Sequence, residues 1–123
     1  MSDEATNKTV IAINHDDAIS IMAALVMGAA AAATGEEVLM FFQPGAAKSL
    51  VNGELEKFQG LQGQPDPLML FESIQVLDGR VILCELGLPI WDIDEADLRE
   101  GVEVMMASSF LFEVEGANMV FSY

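Results

Sequence analysis

The chain has 123 residues, the length of one domain, and 52% of them are hydrophobic. This excludes intrinsic disorder for most of the chain, because a disordered segment carries too few apolar residues to build a core. The chain has twenty Asp and Glu but only five Lys and Arg, which gives a formal net charge of −15 at pH 7. This charge argues against binding to nucleic acid or to anionic membrane surfaces.

Strand and helix patterns alternate in the first half of the chain. A short β-branched run is typical of a buried strand, and Asp before a long apolar stretch is typical of a capped helix. In chain order, we predict a strand at 9–14, a helix from Asp16 or Asp17 to Thr34, a strand at 37–42, one or two helical turns at 46–51 and a loop at 52–64, with or without one helical turn.

The apolar stretch at 18–33 needs its own interpretation, because only Ser20 in it is polar. Sixteen residues are fewer than the roughly 20 that a membrane span needs. The stretch is also rich in Ala and has no Lys or Arg beside it. We therefore expect a helix buried between a sheet and either another helix or another subunit.

The second half continues the alternation. In chain order, we predict a helix from Asp66 to Gly79, a strand at 80–84, a loop at 86–93, a short acidic helix at 94–100, a strand at 102–105, a helix from Ser108 or Ser109 to Glu115 and a strand at 118–122. Strands alternating with helices predict an α/β fold, with a five-stranded, mainly parallel sheet and helices on both faces. The first strand should be interior, but the strand order stays open. We expect one domain over residues 1–123, with residues 1–7 flexible.

Several kinds of site are absent from the sequence. It has no glycine-rich nucleotide motif, and Asp16 and Asp17 stand where a phosphate would bind. One Cys and one His cannot form an intrachain disulfide or a closed zinc site. The carboxylates of residues 92–97 do not match a calcium loop and are expected to form a solvated helix start. We therefore predict no metal and no cofactor.

The one cysteine, Cys84, is the candidate for chemistry. It ends a predicted parallel strand, at the sheet edge where ligands gather in α/β folds. His15 follows the first strand and should lie at the same edge, close to Cys84 if the two strands are near neighbours. The alternative is that Cys84 is a small buried hydrophobic residue, and the sequence leaves both interpretations open.

The region 80–123 resembles the DsrE/DsrF-like sulfur-relay family, in its predicted-peroxiredoxin subgroup. The segments that carry the resemblance are the strand ending in Cys84, Trp91-Asp92-Ile93, Glu95-Ala96-Asp97-Leu98, Gly101-Val102-Glu103-Val104, Ser109-Phe110-Leu111 and the final apolar strand. The N-terminal strand, the Ala-rich helix and the EVLMFF strand fit as well. The resemblance implies a three-layer α/β/α sandwich, a trimer or hexamer, and a Cys84 that carries sulfane sulfur as a persulfide or thiosulfonate.

The chain departs from that family after the cysteine. Glu85 stands where relatives often have a polar Gln, and there is no second cysteine in the loop. A carrier needs only one cysteine, because its partner supplies the next thiol. A reactive thiol is usually helped by a cation or a helix N-terminus, whereas Glu85 acts the other way. His15, Arg80, Arg99 or a neighbouring subunit could offset it.

Three hypotheses follow. The first is a sulfur-transfer or sulfur-carrier protein that uses Cys84, with His15, Glu85 and Trp91 as candidates for the substrate pocket. Its partner would be a sulfur donor or acceptor protein with a reactive thiol, and a basic one would suit the acidic chain. The second is a non-catalytic oligomeric binding or scaffold module with an inert cysteine. The third, a thiol peroxidase, is disfavoured because no peroxidatic motif precedes the cysteine.

The sequence also indicates a cellular location and an oligomeric state. The polar N-terminus has no basic segment typical of a signal peptide, so we expect a cytoplasmic protein. One small domain has too little interior to bury all the apolar surface of the long helix and of the loop residues Leu86, Leu88, Ile90 and Trp91. We therefore expect a homo-oligomer with the Cys84 loop near a subunit interface and Trp91 as its anchor.

Overall fold

Five parallel strands form one sheet in the computed structural model, which describes residues 7–123 of the chain. The strands are β1 Lys8–Ile13, β2 Glu37–Phe42, β3 Arg80–Cys84, β4 Glu103–Met105 and β5 Met119–Ser122. Their order across the sheet is β4-β3-β2-β1-β5. This confirms the predicted sheet and the interior position of the first strand. Residues 1–7 were predicted to be flexible, and all of them except Asn7 lie outside the described residues.

Among the described residues, four α-helices and three 3₁₀ helices connect the strands. The α-helices are α1 Ala18–Ala33, α2 Pro67–Val76, α3 Gly87–Ile90 and α4 Ala107–Glu113, and the 3₁₀ helices are Pro44–Leu50, Leu55–Phe58 and Glu95–Asp97. The predicted aspartate caps are present. The Asp17 carboxylate accepts a hydrogen bond from the backbone N–H of Ser20, and that of Asp66 accepts one from Leu68. Within residues 7–123, no helix has the length and apolar character to cross a membrane.

Three local predictions were wrong, and the backbone hydrogen bonds show the reason in each case. The predicted loop at 86–93 contains α3, in which the N–H of Ile90 bonds to the carbonyl of Leu86. The predicted helix at 94–100 is only the turn Glu95–Asp97, because the N–H of Arg99 bonds to the carbonyl of Leu50, a residue far away in sequence, instead of continuing the helix. Helix α4 begins at Ala107, before both serines predicted to cap it, because the N–H of Phe110 bonds to the carbonyl of Met106 and so makes Met106 the N-cap residue.

One face of the sheet, here called the first face, carries most of the core. Ile11, Met40 and Phe42 on this face are buried with residues of α1, α2 and the 3₁₀ helix Pro44–Leu50. Helix α1 packs against both β1 and β2 and against α2. It is therefore buried between the sheet and another helix, as the sequence predicted. Its side chains are not all covered, because Ile19 remains 72% exposed.

The opposite, second face has a much thinner cover. The buried residues on this face are Val10, Leu39, Phe41, Ile82 and Cys84, and the helical residue buried with them is Phe110 of α4. Because helices lie on both faces of a parallel sheet, the fold is the expected three-layer α/β/α sandwich. Its two helical layers are unequal, and Cys84 lies under the thinner one.

Candidate functional site

Cys84 ends β3 at the carboxyl edge of the sheet. Its backbone partner on β4 is Met105, and the N–H of Glu85 bonds to the Met105 carbonyl at 3.0 Å. The Cys84 side chain is 3% exposed and belongs to the apolar cluster of the second face. The thiol is therefore at the predicted edge but is covered in this conformation.

The structure does not bring His15 to Cys84. β2 lies between β1 and β3. Neighbouring strands are roughly 4.8 Å apart, so β1 and β3 are separated by about 10 Å. His15 also lies in the exposed segment after β1, whereas Cys84 is buried on the second face. The two side chains could approach each other only if the first and third strands were close neighbours, and these strands are not.

The loop after Cys84 is fixed to the segment after β2. Gly87 is buried, and a Cβ added to it would lie 2.7 Å from the Ala47 Cβ and 3.4 Å from Leu83 Cδ1. Only glycine allows this close approach. The segment after β2 is in turn bonded to β1's end, because the N–H of Gly45 donates to the Asn14 side-chain oxygen at 2.9 Å. The carboxyl edge is therefore one connected layer of loops, in which the Glu85 side chain is exposed.

Trp91 contacts the first-face side of this layer. Its indole N–H donates to the carbonyl of Pro44 at 2.6 Å, and the ammonium of Lys48 lies 5.1 Å from the ring centroid. Both partners belong to the 3₁₀ helix that covers the first face. A cavity of about 220 Å³ beside the ring is also lined by Asp92 and Asp94. Trp91 therefore lines a pocket, but one apart from the Cys84 cluster.

The two arginines proposed to help the thiol bind carboxylates elsewhere. Arg80 donates two hydrogen bonds to Glu103, at 2.8 and 3.0 Å, and also pairs with Glu113. These hydrogen bonds, above all those that Arg80 donates to Glu103, raise the pKa of Arg80, and the same contact lowers the pKa of Glu103. Arg80 begins β3 and Cys84 ends it, so at roughly 3.3 Å per residue their backbones are about 13 Å apart.

Arg99 is bound on the other side of the sheet. Its guanidinium makes two hydrogen bonds of 2.9 Å to Glu56 and lies 5.7 Å from the centroid of the Phe71 ring. The hydrogen bonds from Arg99 lower the pKa of Glu56 to about 2. Phe71 is part of the first-face core. Arg80 and Arg99 are therefore both engaged by carboxylates, and neither supplies positive charge to Cys84.

No metal centre is found among residues 7–123, where no group of three or more His, Cys, Asp or Glu side chains could hold an ion. The acidic segment after Trp91 has a local structural role. The Asp94 carboxylate accepts a hydrogen bond from the Ala96 N–H at 2.9 Å and so begins the turn Glu95–Asp97. This is the helix-start role that the sequence pattern favoured.

The residue that sequence reasoning missed is Phe110. Its ring stacks on that of Phe41, with centroids 4.0 Å apart and planes 9° from parallel. Phe41 pairs in register with Ile82, two residues before Cys84 on the same face. The helix carries two aromatic residues, Phe110 and Phe112, and its sequence does not indicate which one is buried, because the partner of Phe110 depends on the strand order.

Comparison with known proteins gives a likeness of fold. No protein-family model and no curated protein matches the chain. The crystal structure of the ychN protein from E. coli matches 96% of this chain and 100% of its own, with a TM-score of 0.78 and 18% identity. MTH1491 from Methanobacterium thermoautotrophicum, described as a protein of unknown function, matches 95% of this chain and 99% of its own, with a TM-score of 0.74 and 15% identity. Both have the DsrE/DsrF-like fold, which this chain therefore shares.

Proposed function

We propose that the chain is a member of the DsrE/DsrF-like sulfur-relay family and acts as a sulfur-transfer or sulfur-carrier protein, with Cys84 as the sulfur acceptor. The observation that carries the proposal is the place of Cys84. It is the chain's single thiol, and it ends a parallel strand at the carboxyl edge, where α/β folds place their chemistry. The shared fold and the sequence resemblance around Cys84 support it further.

The chemistry is an exchange that needs no external oxidant. The Cys84 thiolate attacks the outer sulfur of a donor persulfide, and a new S–S bond forms on Cys84. The S–S bond of the donor breaks, and its electron pair leaves with the donor thiolate. The outer sulfur remains on Cys84 as a persulfide until the thiolate of an acceptor repeats the same attack. With tetrathionate, attack on an inner sulfur releases thiosulfate and leaves a thiosulfonate on Cys84.

A second candidate function has its own supporting observation. The Cys84 side chain is 3% exposed and lies among apolar residues. This is typical of a cysteine that packs as a small hydrophobic residue. The alternative is therefore an oligomeric binding or scaffold module in which the thiol is inert.

The proposal includes a homo-oligomer, a trimer or hexamer, in the cytoplasm. It is supported by large apolar side chains that remain exposed on the single chain, among them Ile19, Met69, Val76, Leu86, Ile90, Phe112 and Val120. Trp91, at 43% exposure, is the proposed anchor near the Cys84 loop. The sulfur partner is a protein with a reactive thiol, and a basic surface would complement the charge of −15. Neither nucleic acid nor a membrane takes part.

The test is intact mass after incubation with polysulfide or tetrathionate, with Cys84→Ser as the matched control. We expect an adduct on the wild-type chain that is absent from the variant and is removed by a reducing thiol. A wild-type chain that gains no adduct, and that also resists alkylation, would contradict sulfur transfer and favour the scaffold. Rapid turnover of peroxide would instead revive the peroxidase hypothesis.

A further inference from the structure

Helix α4 is the cover of the face on which Cys84 lies. Among the described residues, Phe110 of α4 is the buried helical residue in the Cys84 cluster. It is also the single buried residue of this seven-residue helix. The next two residues, Leu111 and Phe112, are 68% and 80% exposed. Met105, Val114 and Ala117 also pack against the cluster but are only partly buried, so withdrawal of Phe110 from the sheet would remove the one buried helical side chain that covers it.

The side-chain contacts that hold α4 are concentrated at its C-terminal end. Arg80 pairs with Glu113, the last residue of the helix. The Lys8 ammonium donates to the carbonyls of Glu113 and Glu115, at 2.8 and 2.9 Å. Cations at this position satisfy carbonyls that the helix leaves unbonded and complement its dipole. This end of α4 is fastened to the first residues of β1 and β3.

The other end of α4 lacks such a fastening. Met106 is its N-cap residue, and no side chain accepts a hydrogen bond there. The first turn therefore keeps unsatisfied N–H groups and is prone to fraying. This turn follows directly on β4, whose last residue, Met105, is the backbone partner of Cys84. The weakly held end of the helix is thus the end beside the thiol.

We propose that α4 is a lid over Cys84, and that unwinding of its first turn with withdrawal of Phe110 from the sheet exposes the thiol. Local openings of this kind occur where few apolar side chains hold an element. Helices α1 and α2 bury seven and three residues respectively, whereas α4 buries one. As a means of admitting a sulfur donor, the lid depends on the proposed function; as a control of thiol exposure it does not.

The experiment is the rate of Cys84 alkylation by iodoacetamide in the full folded chain, followed by intact mass. Phe110→Ala should raise the rate by about tenfold or more, because the lid loses its one buried side chain. Leu111→Ala is the matched control on the same helix and should leave the rate near that of the wild type. Met106→Ser supplies a neutral N-cap and should lower the rate by about threefold or more.

Phe110→Ala could also act by unfolding the whole chain, so each rate is measured at several low urea concentrations. Opening of α4 alone exposes little surface and gives a rate that barely changes with urea, whereas global unfolding gives a steep rise. A steep rise in both wild type and Phe110→Ala, or a Met106→Ser rate equal to the wild-type rate, would overturn the lid. A wild-type rate equal to that of a free thiol would overturn it as well.

Sulfur loading of the same variants separates the two proposals. If Phe110→Ala is alkylated faster but neither it nor the wild type accepts sulfur, the lid stands and the sulfur function fails. If the wild type accepts sulfur and alkylates at rates that none of the α4 variants changes, the function stands and the lid fails.

Discussion

Gly87→Ala tests whether the Cys84 loop is held by the contact between Gly87 and Ala47. The added Cβ would lie 2.7 Å from the Ala47 Cβ, about 1 Å inside an ordinary carbon contact. The same carbon would also lie 3.4 Å from Leu83 Cδ1, so it has little room to move. Overpacking of this kind costs about 1–3 kcal/mol, and the lower chain entropy of Ala in the unfolded state offsets about 0.4–1 kcal/mol. We expect a net loss of about 1–2 kcal/mol in the free energy of unfolding.

The assay is urea unfolding at matched protein concentration, followed by far-UV circular dichroism and by fluorescence of Trp91, the single tryptophan. Ala47→Gly removes the obstructing carbon, so the double-mutant cycle isolates the contact. Gly87→Ala should cost less in the Ala47→Gly background, by about 0.5 kcal/mol or more. A neutral Gly87→Ala, or an equal cost in both backgrounds, would refute the argument from close approach.

Three further predictions concern charge and assembly. Because Arg99 lowers the pKa of Glu56 from its ordinary value of 4.5 to about 2, the pair stabilises the fold above pH 4.5, and this stabilisation is lost as the pH falls toward 2. The difference in the free energy of unfolding between the wild type and Glu56→Gln should therefore shrink over that pH range. A difference that does not change with pH would contradict the prediction. Self-repulsion at a charge of −15 predicts a melting temperature that rises between low and molar salt, since screening shortens its range to about 10 Å at 0.1 M; a constant melting temperature would count against it. Sedimentation should show an oligomer that Trp91→Ala weakens; a wild-type monomer at micromolar concentration would refute the assembly, and an oligomer unchanged by Trp91→Ala would remove Trp91 from the interface.

The elements with strong local signals could be predicted from the sequence. The bounds of β2 and β3 match, because each is an apolar run that follows a glycine-containing turn. Helix α1 begins after Asp17 as predicted, because a side-chain cap is a local interaction. The helix at 94–100 was wrong because the backbone of Arg99 bonds to Leu50, a partner far away in sequence.

Only the local part of the candidate site could be predicted, because the sequence shows where a strand ends but not which strands are neighbours. Cys84 could be placed at the carboxyl edge, because a strand end is visible in the sequence. The position of β2 between β1 and β3 could not, since parallel strands are joined by long crossovers that leave their order open. The separation of His15 from Cys84 and the stacking of Phe110 on Phe41 both follow from that order.

The burial of Cys84 bears on both candidate functions. A carrier thiol must meet a donor and then an acceptor, so a side chain with 3% exposure cannot react in this conformation. A lid makes the burial compatible with sulfur transfer, because it protects a persulfide between the two encounters. A scaffold module needs no such opening, and its cysteine would stay protected until the whole chain unfolds.

The amount of sulfane sulfur bound per chain tests most directly whether Cys84 is a sulfur acceptor. The protein is incubated with polysulfide, freed of excess reagent and treated with cyanide, which takes the outer sulfur of a persulfide as thiocyanate and leaves the thiolate. If Cys84 carries sulfane sulfur, the wild-type chain should yield close to one thiocyanate per chain and Cys84→Ser should yield none. Equal thiocyanate from the wild type and Cys84→Ser would contradict a sulfur acceptor at Cys84. So would the absence of thiocyanate from both the wild type and Phe110→Ala.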